Sequence, residues 1–257
     1  FNSVMGGGSY DFDPKFKRNN YYIYTNTHLP WNVTVTAGVS YEVFFSSVKN
    51  HQTRINPKFG FQWDVTDKLR LRGAWFETTK ADLIAQQSLE PTQIAGFNQF
   101  MDDFNGTRSR RMGIGADYRF SDAVLSGVEA SERKFGIPFA DPNGLESKDF
   151  SERKEQLYRA YLYWIPHVYW AARGEFQFEN YNELPSNNKS PGNPQQLQTL
   201  SAPFSIEYFH PSGVFSKFST TFVHQNLRLF KDFDDGKKRN PENTHSGIDS
   251  FFLVDLA

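Results

Sequence analysis

At 257 residues the chain is long enough for one large β domain or two ordinary ones, and one is the simpler expectation. Hydrophobic content is only 38% while aromatics reach 17%, with 26 Phe, 12 Tyr and 5 Trp, so the apolar surface is concentrated in large rings. A net charge of −1 leaves no whole-molecule field that would favour nucleic acid, and the absence of cysteine excludes disulfides, thiolate zinc sites and cysteine nucleophiles.

The sequence begins at Phe1 without an initiator Met or a signal peptide, which suggests a piece of a longer, processed protein. Segments near 1–12 and 19–28 read as the first strands. The stretch "WNVTVTAGVSYEVFF" (31–45) then alternates cleanly, with Val33, Val35, Ala37, Val39, Tyr41, Val43 and Phe45 against Thr34, Thr36, Gly38, Ser40 and Glu42. Such a strand has one greasy and one wet face.

"RINPKFGFQWD" repeats the period, setting Ile55, Phe59, Phe61 and Trp63 against Arg54, Asn56, Lys58 and Gln62. A weaker version at 68–79 precedes "RMGIGADYRF", where Met112, Ile114, Ala116 and Tyr118 oppose Asp117 and Arg119. Further strands are expected at 123–132, 155–165, 168–179, 199–208, 213–224 and 247–257, about twelve in all.

Connections alternate in length. Short turns fall at "LPWN" near Pro30, "DVTDK" near Thr66, "FSDA" near Ser121, "IPH" near Pro166 and "HPSG" near Ser212, carrying the Pro, Gly, Asn, Asp and Ser that tight turns use. Between them lie a shorter connection at 46–53 and longer polar ones at roughly 80–107, 133–154, 180–197 and 225–246. Short turns at one end and long loops at the other are the layout of an outer-membrane barrel.

No run approaches the ~18 apolar residues of a membrane helix, so a chain of this kind that spans a bilayer must close its backbone hydrogen bonds as a barrel. Trp31, Trp63, Trp164 and Trp170 sit beside short turns, as do Tyr118, Phe120 and Tyr208. Aromatics at one depth are what a membrane–water interface selects. Alternating strands also build soluble sandwiches and small barrels, in which aromatics near turns plug a core.

The segment "INPKFGFQWDVTDKLRLRGAWFETTKA" (55–81) resembles the barrel of TonB-dependent outer-membrane receptors, where N-P-K-[apolar]-G leads through a short turn into an aromatic-rich strand. "LEPTQIAGFNQFMDDFNGT" (89–107) is similar to a stretch of outer-membrane proteins that join periplasmic tetratricopeptide repeats to such a barrel. The resemblance implies an all-β, antiparallel up-and-down transmembrane barrel. Neither a plug domain, a TonB box nor helical repeats occur in the sequence, which leaves energy-coupled uptake in doubt and a porin or export channel open.

The six histidines show no metal-ligand spacing, and no metal or cofactor is expected. "KDFDDGKK" (231–238) lacks the spaced ligands of a calcium loop, and "MGGGSY" (5–10) lacks the Lys-Ser/Thr of a phosphate loop. A catalytic constellation is not apparent, and the reading is of a non-enzyme. On the strand parity Arg54, Lys58, Arg70, Arg72, Asp117, Glu129, Arg159, Arg173, Glu175, Glu207 and Lys217 point into a lumen, with Arg159, Arg173 and Glu175 expected to meet. The apolar run "IAGFNQF" (94–100) in the long loop is expected to fold inward or to contact a partner.

The whole of 1–257 is therefore expected to be a single outer-membrane β-barrel domain, incomplete at both ends, in a Gram-negative bacterium. Its function would be a pore or TonB-receptor-like transporter barrel for solute passage. Expected partners are outer-membrane lipid and lipopolysaccharide, and a periplasmic helical-repeat domain or other envelope partner, but not nucleic acid. An exopolysaccharide export porin and a soluble β-sandwich binding carbohydrate or protein are the alternatives.

Overall fold

A strand with one apolar and one polar face can pair along its edges while keeping the two faces apart, and eleven strands join into one sheet on that plan here. The computed structural model describes residues 16–46, 52–80, 90–99, 106–138, 150–183, 194–229 and 246–256. The strands are β1 (Phe16–Leu29), β2 (Val33–Ser46), β3 (Gln52–Asp64), β4 (Leu69–Thr79), β5 (Gln93–Ile94), β6 (Phe97–Asn98), β7 (Arg108–Ser121), β8 (Val124–Pro138), β9 (Phe150–His167), β10 (Trp170–Glu183), β11 (Pro194–Phe209), β12 (Phe215–Leu229) and β13 (Ser246–Leu256).

All except β5 and β6 form one antiparallel sheet in chain order, an up-and-down meander with β1 and β13 at its edges. The segment near 1–12, expected as a further strand, lies outside the described residues, as do "MGGGSY" and "KDFDDGKK".

Burial runs inside-out relative to a soluble sandwich. On β3 the apolar Ile55, Phe59, Phe61 and Trp63 are exposed, while Asn56 and Lys58 between them are each 3% exposed. Phe176 and Phe204 are likewise exposed. A sandwich would need a second sheet over those rings; none covers them among the described residues, so that alternative fails.

The sequence-derived boundaries need two corrections. First, the strands at the long-loop end run on: β8 reaches Pro138, β9 starts at Phe150 and β10 reaches Glu183. There the outward parity turns polar, with Lys134, Glu152, Lys154, Asn180 and Asn182, and Phe135 and Tyr181 stand on the other parity, so the alternation is lost from the sequence while the hydrogen-bond ladder continues. Second, "IPH" is not a turn. Pro166 lies inside β9, at a register shift opposite Trp170–Ala172, and the turn is Val168–Tyr169. Proline donates no N–H to a ladder, and an irregularity is where a strand tolerates it.

Among the described residues two turns place consecutive residues in left-handed backbone, and Gly213 (φ 88°) takes it singly between β11 and β12. Trp31 (φ 62°) and Asn32 (φ 58°) join β1 to β2, and Ala95 (φ 47°) with Gly96 (φ 84°) joins β5 to β6. The second is a two-residue hairpin whose two central residues both take positive φ, matching the right-handed twist of its strands.

Among the described residues, the buried apolar cluster lies on the polar side of the sheet. Ala74 and Phe76 of β4 meet Ile94, Ala95 and Phe97 of the hairpin, with Tyr24 of β1 packed alongside. The hairpin has folded inward. Fully burying Ile94 and Phe97 contributes about 1.5–3 kcal/mol each.

Candidate functional site

The wall carries a seat shaped for the hairpin. A Cβ on Gly60 of β3 would lie 2.7 Å from Ile94 Cγ2 and 2.9 Å from Ala95 Cβ, and one on Gly113 of β7 would run into the Phe97 ring. Glycine at these two inward positions lets the hairpin lie against the backbone of the sheet. Arg72 covers the tip from the other side, its guanidinium 4.9 Å from the Phe97 ring centre.

Polar groups then lock the hairpin to three strands. Lys58 Nζ forms an ion pair with Glu90 Oε1 at 2.9 Å, with side chains only 1% and 2% exposed. The same ammonium donates to Gln99 Oε1 at 2.7 Å and to the Glu77 carbonyl at 3.1 Å, using all three of its protons. Glu90 also accepts from Tyr24 Oη at 2.5 Å and from Asn20 Nδ2 at 3.1 Å. Arg111 Nη1 donates to the Asn98 carbonyl at 3.1 Å.

A buried carboxylate is costly to keep charged, but here the Lys58 ammonium and the hydrogen bonds from Tyr24, Lys58 and Asn20 outweigh burial. They hold the Glu90 carboxyl below the usual glutamate range.

Beyond the hairpin, charges on the inward face pair across strands. Arg72 bridges Asp117 Oδ2 at 3.2 Å and Glu129 Oε2 at 2.9 Å, and Arg133 reaches Glu155 at 3.1 Å. Tyr161 Oη donates to Asp117. Lys217 and Glu207, directly opposed on β12 and β11, are 3.4 Å apart. Toward the short turns this face opens on a cavity of about 880 Å³ whose lining includes Arg70, Asp117, Arg159, Tyr161 and Tyr163.

All eleven residues assigned to the lumen from the sequence fall on this one face. Arg54 stands opposite Glu42 and Arg70 opposite Asp117 in the register, and Arg70 binds Asp64 beside the short turn. The expected meeting of Arg159, Arg173 and Glu175 holds only in part. Arg173 binds Glu175, two residues along the same strand, whereas Arg159 is opposite Gln177, one inward position away, and lies 3.9 Å from Glu129.

Alternation missed several inward residues. Tyr24 and Phe76 break the rule that rings point outward, and Glu90 and Gln99 belong to a loop with no period at all. Glycines on the wet parity were the available signal.

The seven aromatics expected near one interface lie at the short-turn end, Trp31 in the β1–β2 turn itself. Trp31, Trp63, Tyr118, Phe120, Trp164, Trp170 and Tyr208 flank the turns; all but Tyr208 are clearly exposed, and Tyr208 packs against Trp170 with ring centres 4.6 Å apart. Tyr118 and Phe120 meet edge to face at 4.7 Å. Among the described residues no group of three His, Asp or Glu side chains is placed to hold a metal ion.

Residues 1–126, about half of the chain, match the family described as TonB dependent receptor-like, beta-barrel. The chain is thus similar to an outer-membrane transporter barrel, a family that is not enzymatic, and the similarity implies an outer-membrane location. No curated protein matches the chain.

Proposed function

We propose that this TonB-receptor-like wall encloses a passage for a polar solute in a Gram-negative outer membrane, with the hairpin at 90–99 as its constriction. One observation carries the reading: the charged Lys58 and Glu90 are sealed inside while Ile55 and Phe59 on the same wall are bare. Water-filled or loop-plugged interiors with apolar exteriors are the membrane-barrel arrangement. The paired charges hydrate the inner wall, and their local field sets which ions pass.

Arg173 is the best probe of that field, because its side chain is 54% exposed beside the buried Glu175. In planar-bilayer recordings Arg173→Glu should shift the channel toward cations. Unchanged selectivity with unchanged conductance would remove the passage reading.

Polysaccharide export is the second reading. It is favoured by tyrosines on the inner face, Tyr24, Tyr161, Tyr163 and Tyr181, near carboxylates. Sugars stack on open aromatic faces, however, and three of these rings already carry a guanidinium: Arg159 over Tyr161 at 4.9 Å, Arg173 over Tyr163 at 5.5 Å and Arg153 over Tyr181 at 5.8 Å. Current block by a neutral oligosaccharide would favour export; its absence would favour small charged solutes.

A further inference from the structure

Beside the hairpin, the inner wall brings unlike side chains into two level rows. In the first, Arg111 of β7 is directly opposite Arg133 of β8, Arg133 opposite Glu155 of β9, Glu155 opposite Tyr181 of β10, and Tyr181 opposite Leu197 of β11. The second row, two residues nearer the short turns, runs through Ser131, Leu157, Glu179 and Thr199. A cavity of about 420 Å³ lies against both rows, its lining including Arg111, Ser131, Arg133, Glu155, Glu179 and Leu197. That is room for a small ligand.

The charges around it are segregated. Arg111 and Arg133 are buried on the β7 and β8 side. Arg111 is fixed from two directions, Nη1 donating to the Asn98 carbonyl at 3.1 Å and Nη2 to Ser131 Oγ at 2.9 Å. Arg133 Nη1 donates to Glu155 Oε2 at 3.1 Å, and its guanidinium lies 4.4 Å from the Phe135 ring centre. Like charges directly opposed on one face destabilise a sheet, so an anion shared between the two guanidinium groups relieves this wall. Their planar forks suit a carboxylate.

Carboxylates stand across the cavity on β9 and β10. Glu155 keeps 38% of its side-chain surface exposed beside Arg133, and Glu179 is exposed and makes no ion pair among the described residues. From β8 to β10 is two strand spacings, about 9.6 Å at the backbone, a gap that long side chains on both sides narrow to the reach of a small molecule. Leu157, Tyr181 and Leu197 stand on the parity expected to be polar, each half-buried, and give the same place an apolar surface.

Charge narrows the occupant. An anion drawn to the guanidinium pair is repelled by Glu155 and Glu179, and a cation drawn to the carboxylates is repelled by Arg111 and Arg133. One molecule carrying both signs satisfies both walls. We propose that this cavity binds a zwitterionic amino compound, a short peptide with free ends, its carboxylate on Arg111, Arg133 and Ser131, its ammonium on Glu179 and its apolar side chains against Leu157, Tyr181 and Leu197. This rests on the reading of the face as the wall of a passage and names the class of solute.

The test titrates the dipeptide leucylleucine into the full chain folded in detergent micelles, by calorimetry, beside its N-acetyl and C-amide derivatives, which each keep one charge. Each blocked form should bind about tenfold more weakly, the effect of losing one charge-assisted contact. E179Q, at an exposed position, should weaken the free dipeptide about tenfold and leave the N-acetyl form unaffected. R133K, which keeps the charge and loses the fork, should weaken the free dipeptide and spare the C-amide. A variant that merely disturbed the fold would not sort the peptides in this way.

Equal affinity for all three peptides, or an E179Q loss that the N-acetyl form shares, would overturn the site. An N-acetyl dipeptide bound as tightly as the free one would assign a plain anion and overturn the zwitterion. Planar-bilayer recordings on the same preparation separate the two readings: a chain that conducts nothing overturns the passage, whereas one that conducts and binds no dipeptide overturns only this inference.

Discussion

Strands β3, β4 and β7 are built on the same alternation as β11, β12 and β13, yet they differ in how much they bury. Around the hairpin, Lys58, Arg72, Ala74, Phe76 and Arg111 are all buried; on β11 nothing is, on β12 only Val223, and β13 is exposed along its length. Burial on β3, β4 and β7 follows the filler of the lumen, ten residues of the chain's own loop, whereas β8 to β10 bury Glu129, Arg133, Phe135, Tyr161 and Glu175 through ion pairs and ring contacts among the strands themselves.

The comparison breaks most visibly at the ion pair. Lys58→Ala leaves Glu90 buried without its ammonium and should cost about 3–5 kcal/mol of hairpin docking, read as loss of hydrogen-exchange protection over 90–99. A Lys58→Met/Glu90→Leu double variant should lose far less. Protection unchanged in Lys58→Ala would mean the pair does not hold the hairpin.

On the unfilled side the expected penalty comes from lipid. Phe176 lies six residues from both Trp170 and Asn182, near mid-band, and Phe176→Arg should destabilise the folded barrel in vesicles by about 2–4 kcal/mol. In a protein whose Phe176 faced water the same change would be benign under urea titration.

Glycine gives the sharpest contrast between the two regions. Gly113→Val should cost about 1–3 kcal/mol by driving a side chain into Phe97, and should raise single-channel conductance as the hairpin lifts. Gly174→Val on β10, where a Cβ would meet no atom within 4 Å, should do neither.

Acid should separate the regions too. The Glu90 carboxyl titrates lower when docked than when free, so its contribution is complete above the free value of roughly 4.3 and is lost as pH falls through the docked one. Conductance should thus stay constant from neutral pH to about 5 and rise only in stronger acid. The smallest effect is expected at Lys217→Ala: a partly exposed pair in the unfilled region contributes about 0–1 kcal/mol.

Much of this was legible in the sequence because a period of two needs no tertiary knowledge. Val33 to Phe45 and Ile55 to Trp63 declared their faces, and the inward charges followed by parity. The hairpin was not readable as structure, since two-residue strands carry no period; "IAGFNQF" announced only that a loop was too apolar to stay in water. Pro166 misled because a proline beside an aromatic run looks like a turn until its register is known. Tyr24 and Phe76 were invisible for the opposite reason, being rings on the parity where rings are not expected.

The meander has a consequence for assembly. Each long strand hydrogen-bonds only to its chain neighbours, so the ladder can zip strand by strand with low contact order. Among the described residues the groups shown gripping the hairpin, from Asn20, Tyr24, Lys58 and Gly60 to Phe76, Arg111 and Gly113, belong to β1, β3, β4 or β7. The stopper can therefore be installed once β7 has joined, before β8 to β13 are in place. Pulsed labelling during refolding should find residues 90–99 shielded ahead of β10, and a nascent wall assembled in that order would never expose an open conduit.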